Sequence, residues 1–132
     1  MNDYITTAEL DSLIRGKLED AELLFREGRY DSSYYLSGYA IELALKRRIC
    51  LTLGWKDGYP KKKFENLQSF KTHKLDILLH FSGIEEKIKK EHFSIWSVVA
   101  NWDPEMRYSI QMINLQKAEV MIASTKALLE IL

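Results

Sequence analysis

A single cysteine, two prolines and six glycines in 132 residues exclude several kinds of protein at once. Cys50 has no partner within the chain, which removes an internal disulfide framework and a thiolate zinc site and fits a reducing, cytoplasmic setting. So few turn-forming residues, with almost no alternating apolar and polar stretches, do not punctuate an all-β sandwich. Charge of one sign is lacking too. The 19 Lys and Arg balance 19 Asp and Glu, so bulk charge does not hold the chain to nucleic acid and any such contact needs a local patch. The longest charge-free stretches, Ser32–Ile41 and Phe93–Trp102, span ten residues each, whereas crossing a bilayer takes ~20 apolar residues. Met1–Thr7 has neither the basic nor the apolar region of a secretion signal. Membrane insertion and secretion are therefore not expected.

What is present forms helices. With 46% apolar and 29% charged residues the chain buries a core rather than staying disordered, and its length suits one domain over residues 1–132. Thr6-Thr7-Ala8-Glu9 reads as a capping box, in which hydroxyl and carboxylate satisfy each other's free backbone donors. It starts a helix from Thr7 to Glu27 with Leu10, Leu13, Ile14, Leu18, Ala21, Leu24 and Phe25 on one face. Gly28 ends it in a left-handed conformation. Asp31 and the serines after it cap a second helix running to about Leu53, apolar on all sides and therefore central. Its small residues Ser37, Gly38 and Ala40 admit a neighbouring helix or a second copy of the chain.

Gly54–Thr72 reads as a long loop, with Lys61-Lys62-Lys63 inside it. His73–Phe81 reads as a short third helix, and Glu85–Asn101 as a fourth, broken near Lys90, that turns Ile84, Ile88, Phe93, Trp96, Val99 and Trp102 inward. Asp103-Pro104-Glu105 is a stop and a fresh start. The last helix begins near Asn114 and buries Leu115, Ala118, Ile122, Leu129 and Leu132. The expected fold is all-α, a bundle of four long or medium helices and one short one joined mostly by short loops.

Catalytic and cofactor motifs are scarce. There is no Gly-rich phosphate loop and no Gly-x-Ser-x-Gly elbow. His73 and His80 lie seven positions apart, ~10 Å along a helix, too far to share a metal ion, and His92 has no partner at ligand spacing. No metal and no cofactor is expected. Cys50 sits in an apolar stretch that makes an inert thiol rather than a nucleophile.

Two stretches combine aromatic residues with isolated charges: Tyr34 to Lys46, and Trp96 to Tyr108. Glu42 and Lys46 stand four apart in the favourable order for an intrahelical pair. Two readings of them stand. They form one solvated stripe on a core helix, with the tryptophans as ordinary core, or Glu42 is a buried acid that takes a fork-shaped donor such as Arg107. Lys46-Arg47-Arg48 and Lys61–Lys63 are candidate phosphate contacts. Tyr34, Tyr39 and Tyr108 are candidate stacking platforms or interface aromatics.

The order Gly28-Arg29-Tyr30-Asp31-Ser32, then Tyr35 through Gly38-Tyr39-Ala40-Ile41-Glu42-Leu43-Ala44-Leu45-Lys46, resembles the HEPN family (higher eukaryotes and prokaryotes nucleotide-binding). His73-Lys74-Leu75 stands where that family often has His-Asp-Leu, and Trp96 with Trp102-Asp103-Pro104-Glu105-Met106-Arg107-Tyr108 is similar to its Trp…Trp…Glu-x-Arg-Tyr segment. The likeness covers roughly Leu18 to Leu132.

It implies an antiparallel bundle of four to five helices that homodimerises, and a link to nucleotide or RNA binding, to partner proteins such as small nucleotidyltransferases in toxin–antitoxin pairs, and to defence. Many members are metal-independent ribonucleases that use an arginine and a histidine separated by four to six residues. Here those positions after Arg107 hold Met112, Ile113 and Asn114. Asn cannot exchange a proton near neutral pH. The expectation is a binding module without the usual ribonuclease motif, with Arg107, Tyr108, Tyr39, Glu42, Lys46, His73 and Lys74 as ligand-binding candidates. The alternative is an atypical ribonuclease whose catalytic candidates are Arg107, Tyr108 and His73.

Overall fold

The computed structural model describes residues 3–61, 70, 72–108 and 112–132, with the Arg107 side chain left outside the description. Among them the elements run β1 (Tyr4–Ile5), α1 (Thr7–Arg26), α2 (Tyr30–Leu53), β2 (Tyr59–Pro60), α3 (Leu75–Phe81), α4 (Glu85–Glu91), α5 (Phe93–Val99), a 3-10 helix (Pro104–Tyr108) and α6 (Leu115–Ile131). The architecture is all-helical apart from one small two-stranded antiparallel pairing.

Helix ends follow the local chemistry. The Thr6 backbone N–H donates to Glu9 Oε1 at 2.9 Å and the Glu9 N–H to Thr6 Oγ1 at 3.1 Å, a complete capping box that opens α1. Gly28 follows that helix at φ 76°. Asn114 caps α6 by accepting the Lys117 N–H at 2.8 Å. Asp31 departs from its expected role: α2 starts one residue earlier behind Arg29, and the Asp31 carboxylate accepts the Ile113 N–H at 2.5 Å, tying the start of α2 to the residues before α6.

Two side-chain contacts set the direction of the first helix pair. Ser33, early in α2, donates to the Ala21 carbonyl late in α1 at 2.7 Å, while Arg47, late in α2, pairs with Asp11 early in α1. The two helices therefore run antiparallel, as the three-residue connection between them favours. Helix α6 packs on α2, α5 packs on α6, and α3 packs on α2. Half of α2 is buried, which makes it the central helix. The buried residues form one cluster in which Ile41, Leu45 and Ile49 of α2 meet Leu10, Leu78, Leu79, Ile88, Val99, Met121 and Leu128. Each such side chain contributes roughly 1.5–3 kcal/mol on leaving water.

Several expectations are corrected. His73 does not begin a helix; α3 starts at Leu75 with Lys74 as its cap residue. The fourth helix divides at His92, not Lys90. Phe93 is 61% exposed and Leu115 50%, not inward, because each stands at the first position of its helix, where no neighbouring element covers it. The Gly54–Thr72 connection carries β2, which pairs Tyr59 with Ile5 and Pro60 with Tyr4. Gly58 enters that strand at φ 114°, where a Cβ would lie 2.1 Å from the Ile5 carbonyl oxygen, so no larger residue fits there without moving backbone. Ser37, Gly38 and Ala40 are covered within the chain: a Cβ at Gly38 would lie 2.1 Å from the Trp102 ring. The neighbour that Gly38 admits is Trp102, whose indole N–H donates to the Tyr35 carbonyl at 3.0 Å.

Candidate ligand-binding cleft

Midway along α2, Glu42 is 4% exposed. A carboxylate taken out of water needs hydrogen-bond donors, since an unpaired buried charge is strongly unfavourable. It has two, both on Oε2: Lys46 Nζ at 3.0 Å, one helical turn on, and His73 Nδ1 at 3.0 Å, from the stretch before α3. The carboxylate only accepts, so His73 Nδ1 carries the hydrogen of this contact. In the neutral ring that leaves Nε2 as the nitrogen with a free lone pair.

A cleft of about 350 Å³ opens beside this group. Leu10 and Leu13 of α1 with Leu43 of α2 make its apolar part; Tyr39, Lys46 and His73 border it, and Ile5, Tyr59, Pro60 and Lys61 of the strand pair close another side with Phe70 and Thr72. Glu42 stays behind its two partners and presents them to the opening. Tyr59 is buried and its hydroxyl donates to the Phe70 carbonyl at 2.5 Å, while Lys46 Nζ lies 5.4 Å from the centre of its ring. Burial, then the nearby Cys50 and Glu42, pushes the Tyr59 phenol far above its ordinary range, so it remains a protonated donor. Trp55 stacks edge-on against Phe70 at 4.9 Å and continues the aromatic wall.

Of the residues expected from the sequence, Glu42, Lys46 and His73 come into direct contact and Tyr39 borders the same cleft. Lys74 is exposed and its backbone N–H donates to Thr72 Oγ1. Tyr108 is 72% exposed on the 3-10 helix and is not among the residues lining the cleft. The expected Glu42–Arg107 contact lies outside the described residues, as do Lys62 and Lys63. The basic triplet does not act as one patch: Lys46 faces the cleft, whereas Arg47 pairs with Asp11 on α1. Tyr34 is core, 2% exposed, with Lys117 over its ring.

Sequence reasoning missed Tyr59, Phe70 and Thr72. The Tyr59-Pro60 step was the available signal, because proline favours an extended residue before it. Among the described residues no group of three or more His, Cys, Asp or Glu side chains gathers as a metal site. Comparison with known proteins gave no matching family model, no matching curated protein and no matching solved structure.

Proposed function

We propose that the chain is a HEPN-like helical module that homodimerises and binds a nucleotide, or a nucleotide unit of RNA, in the cleft beside Glu42. The observation that carries this reading is the joining of Lys46 and His73 on one buried carboxylate, facing an opening that also holds Lys61 and the aromatic Tyr39 and Tyr59. Cations suit a phosphate and aromatic faces suit a base. The cleft's size also fits a ligand no larger than a nucleotide.

Two of the three positions where a ribonuclease of this kind would carry its histidine have other work. Met112 is 92% exposed, Ile113 is buried and bonded to Asp31, and Asn114 caps α6. Asn114 therefore has its side-chain oxygen engaged with its own helix.

The test is a titration of the full chain with a fluorescein-labelled RNA oligonucleotide, followed by anisotropy and repeated over a range of salt. Binding should weaken steeply as salt rises. Lys61→Gln, at the exposed rim, should reduce affinity several-fold and lower the salt slope by about one. Absence of binding, or an affinity indifferent to both salt and Lys61→Gln, overturns the reading. Homodimerisation is checked separately: a functional interface buries on the order of 1,600 Å², and sedimentation at micromolar concentration showing only monomer removes that part.

A further inference from the structure

We propose that Glu42 and His73 make binding in the cleft proton-linked: a phosphate-bearing ligand is held tightly only once the His73 ring has taken up a proton. The inference rests on the cleft being the nucleotide site and adds how that site is regulated. Its basis is the place of one hydrogen. Glu42 Oε2 lies 3.0 Å from His73 Nδ1, and the Glu42 side chain is buried while the His73 side chain is 65% exposed and borders the cleft. An ionised carboxylate only accepts, so Nδ1 keeps its hydrogen in either charge state of the ring. Neutral His73 therefore offers Nε2 as a lone pair, and a phosphodiester, whose oxygens also accept, gains no hydrogen bond from it. An imidazole without such a neighbour escapes by changing tautomer. Here that change would set two acceptors against each other at 3.0 Å. The remaining route is a proton on Nε2, which turns it from acceptor to donor and adds a positive charge for the phosphate.

The groups around the ring leave this proton as the variable one. On α2, Lys46 shares Oε2 with His73, and Tyr39 borders the cleft. Tyr59 and Lys61 face the opening from the strand pair. Lys74 and Asp76, on the chain that follows His73, are both exposed. Helix α1 presents apolar side chains to the cleft, its Asp11 being paired with Arg47. Among these side-chain types only histidine ordinarily changes charge between about pH 5 and 8, and a phosphodiester keeps its single charge throughout. Proton and phosphate are then two ligands of one site, and each raises the affinity for the other by the same factor. A single charge-assisted hydrogen bond sets that factor at about 10- to 100-fold.

The experiment titrates the full chain with a rhodamine-labelled RNA oligonucleotide, a label whose emission does not follow pH here, at constant salt from about pH 8 to pH 5.5. The affinity should rise about 10- to 100-fold across that range. In the nuclear magnetic resonance spectrum the titration midpoint of the His73 ring should rise by about 1–2 pH units in saturating RNA, as reciprocity requires. His73→Gln, at an exposed position, should bind with an affinity that no longer follows pH. Glu42→Gln gives Nδ1 a neutral neighbour that can donate to it, which frees the other tautomer; binding at pH 8 should tighten and the pH dependence should shrink. A role for Glu42 in stability alone would weaken binding at every pH instead. His80→Gln, whose ring pairs with Glu85 away from the cleft, should keep the parent's dependence. Binding indifferent to pH, a dependence that survives His73→Gln, or a His73 midpoint that RNA does not move overturns the proton linkage and leaves the binding reading standing. Absence of binding at every pH overturns both.

Discussion

Among the described residues the same three-residue arrangement occurs twice, in two unlike settings. On α2, Glu42 holds Lys46 one turn on and His73 from another segment, each at 3.0 Å. On α4, Glu85 holds Lys89 one turn on and His80 from the end of α3, each at 3.2 Å. By residue type and helical spacing the two are equivalent. The Glu42 side chain is 5% exposed and the Glu85 side chain 31%, and the partners of the first, Lys46 and His73, line a cleft. Water can replace most of what Lys89 and His80 give Glu85, whereas nothing replaces the partners of Glu42. An ion pair acquires functional weight from the surroundings that desolvate it, not from the pair itself.

The contrast breaks most readily at Glu42. Glu42→Ala leaves Lys46 without its counter-charge in a partly buried position, and breaking such a pair from one side costs about 3–5 kcal/mol. Urea unfolding of the two alanine variants should separate them clearly, and equal small losses for Glu42→Ala and Glu85→Ala would show that burial does not distinguish the trios. One turn earlier on α2, Gly38→Ala drives a methyl into the Trp102 ring. Overpacking of this sort costs about 1–3 kcal/mol, visible as a lowered Tm, and an unchanged Tm would mean that Trp102 gives way without loss.

Glu85→Ala should cost less than about 1 kcal/mol, the range of exposed ion pairs. Its pH dependence sharpens the comparison. The hydrogen bond from His80, first, holds the Glu85 carboxyl below its ordinary value of 4.5. A lowered carboxyl pKa stabilises the fold above the unfolded value and loses that contribution as pH falls through the folded one. Glu85→Gln should therefore flatten the stability curve only below about pH 4.5, the ordinary value for the group. A change confined to neutral pH would contradict the assignment. The smallest effect lies in Cys50, on the buried side of α2, where burial pushes the thiol up to about 11. Iodoacetamide at pH 8 should label it slowly until urea unfolds the chain, and rapid labelling of the native protein would show that this stretch of α2 opens.

Much of the helical plan was legible because it is local. The capping box at Thr6, the left-handed Gly28, the helix start at Asn114 and the periodic apolar face of α1 all depend on residues three or four apart; the face of α6 was less legible, since Met121, Thr125 and Leu128 are buried while Ile122 and Leu129 are half-buried. The isolation of Glu42 among apolar neighbours was also readable, as was its pairing with Lys46. The strand pair was not, since two-residue strands carry no period and Tyr4–Ile5 meets Tyr59–Pro60 across more than fifty positions. Phe93 and Leu115 were misjudged for a related reason: an apolar residue at a helix start has a face only when a neighbour covers it.

The sequence by itself determined that the protein is helical, where most helices begin and end, and that α2 carries a charged pair in an apolar setting. These are consequences of short-range hydrogen bonding and of hydrophobic periodicity. Tertiary structure alone decided that His73, thirty-one positions from Glu42, supplies the imidazole beside that pair, that Trp102 fills the space over Gly38, and that Glu42 rather than Glu85 is the buried acid. No local rule encodes such meetings, because they depend on how whole helices pack and on which charges that packing removes from water.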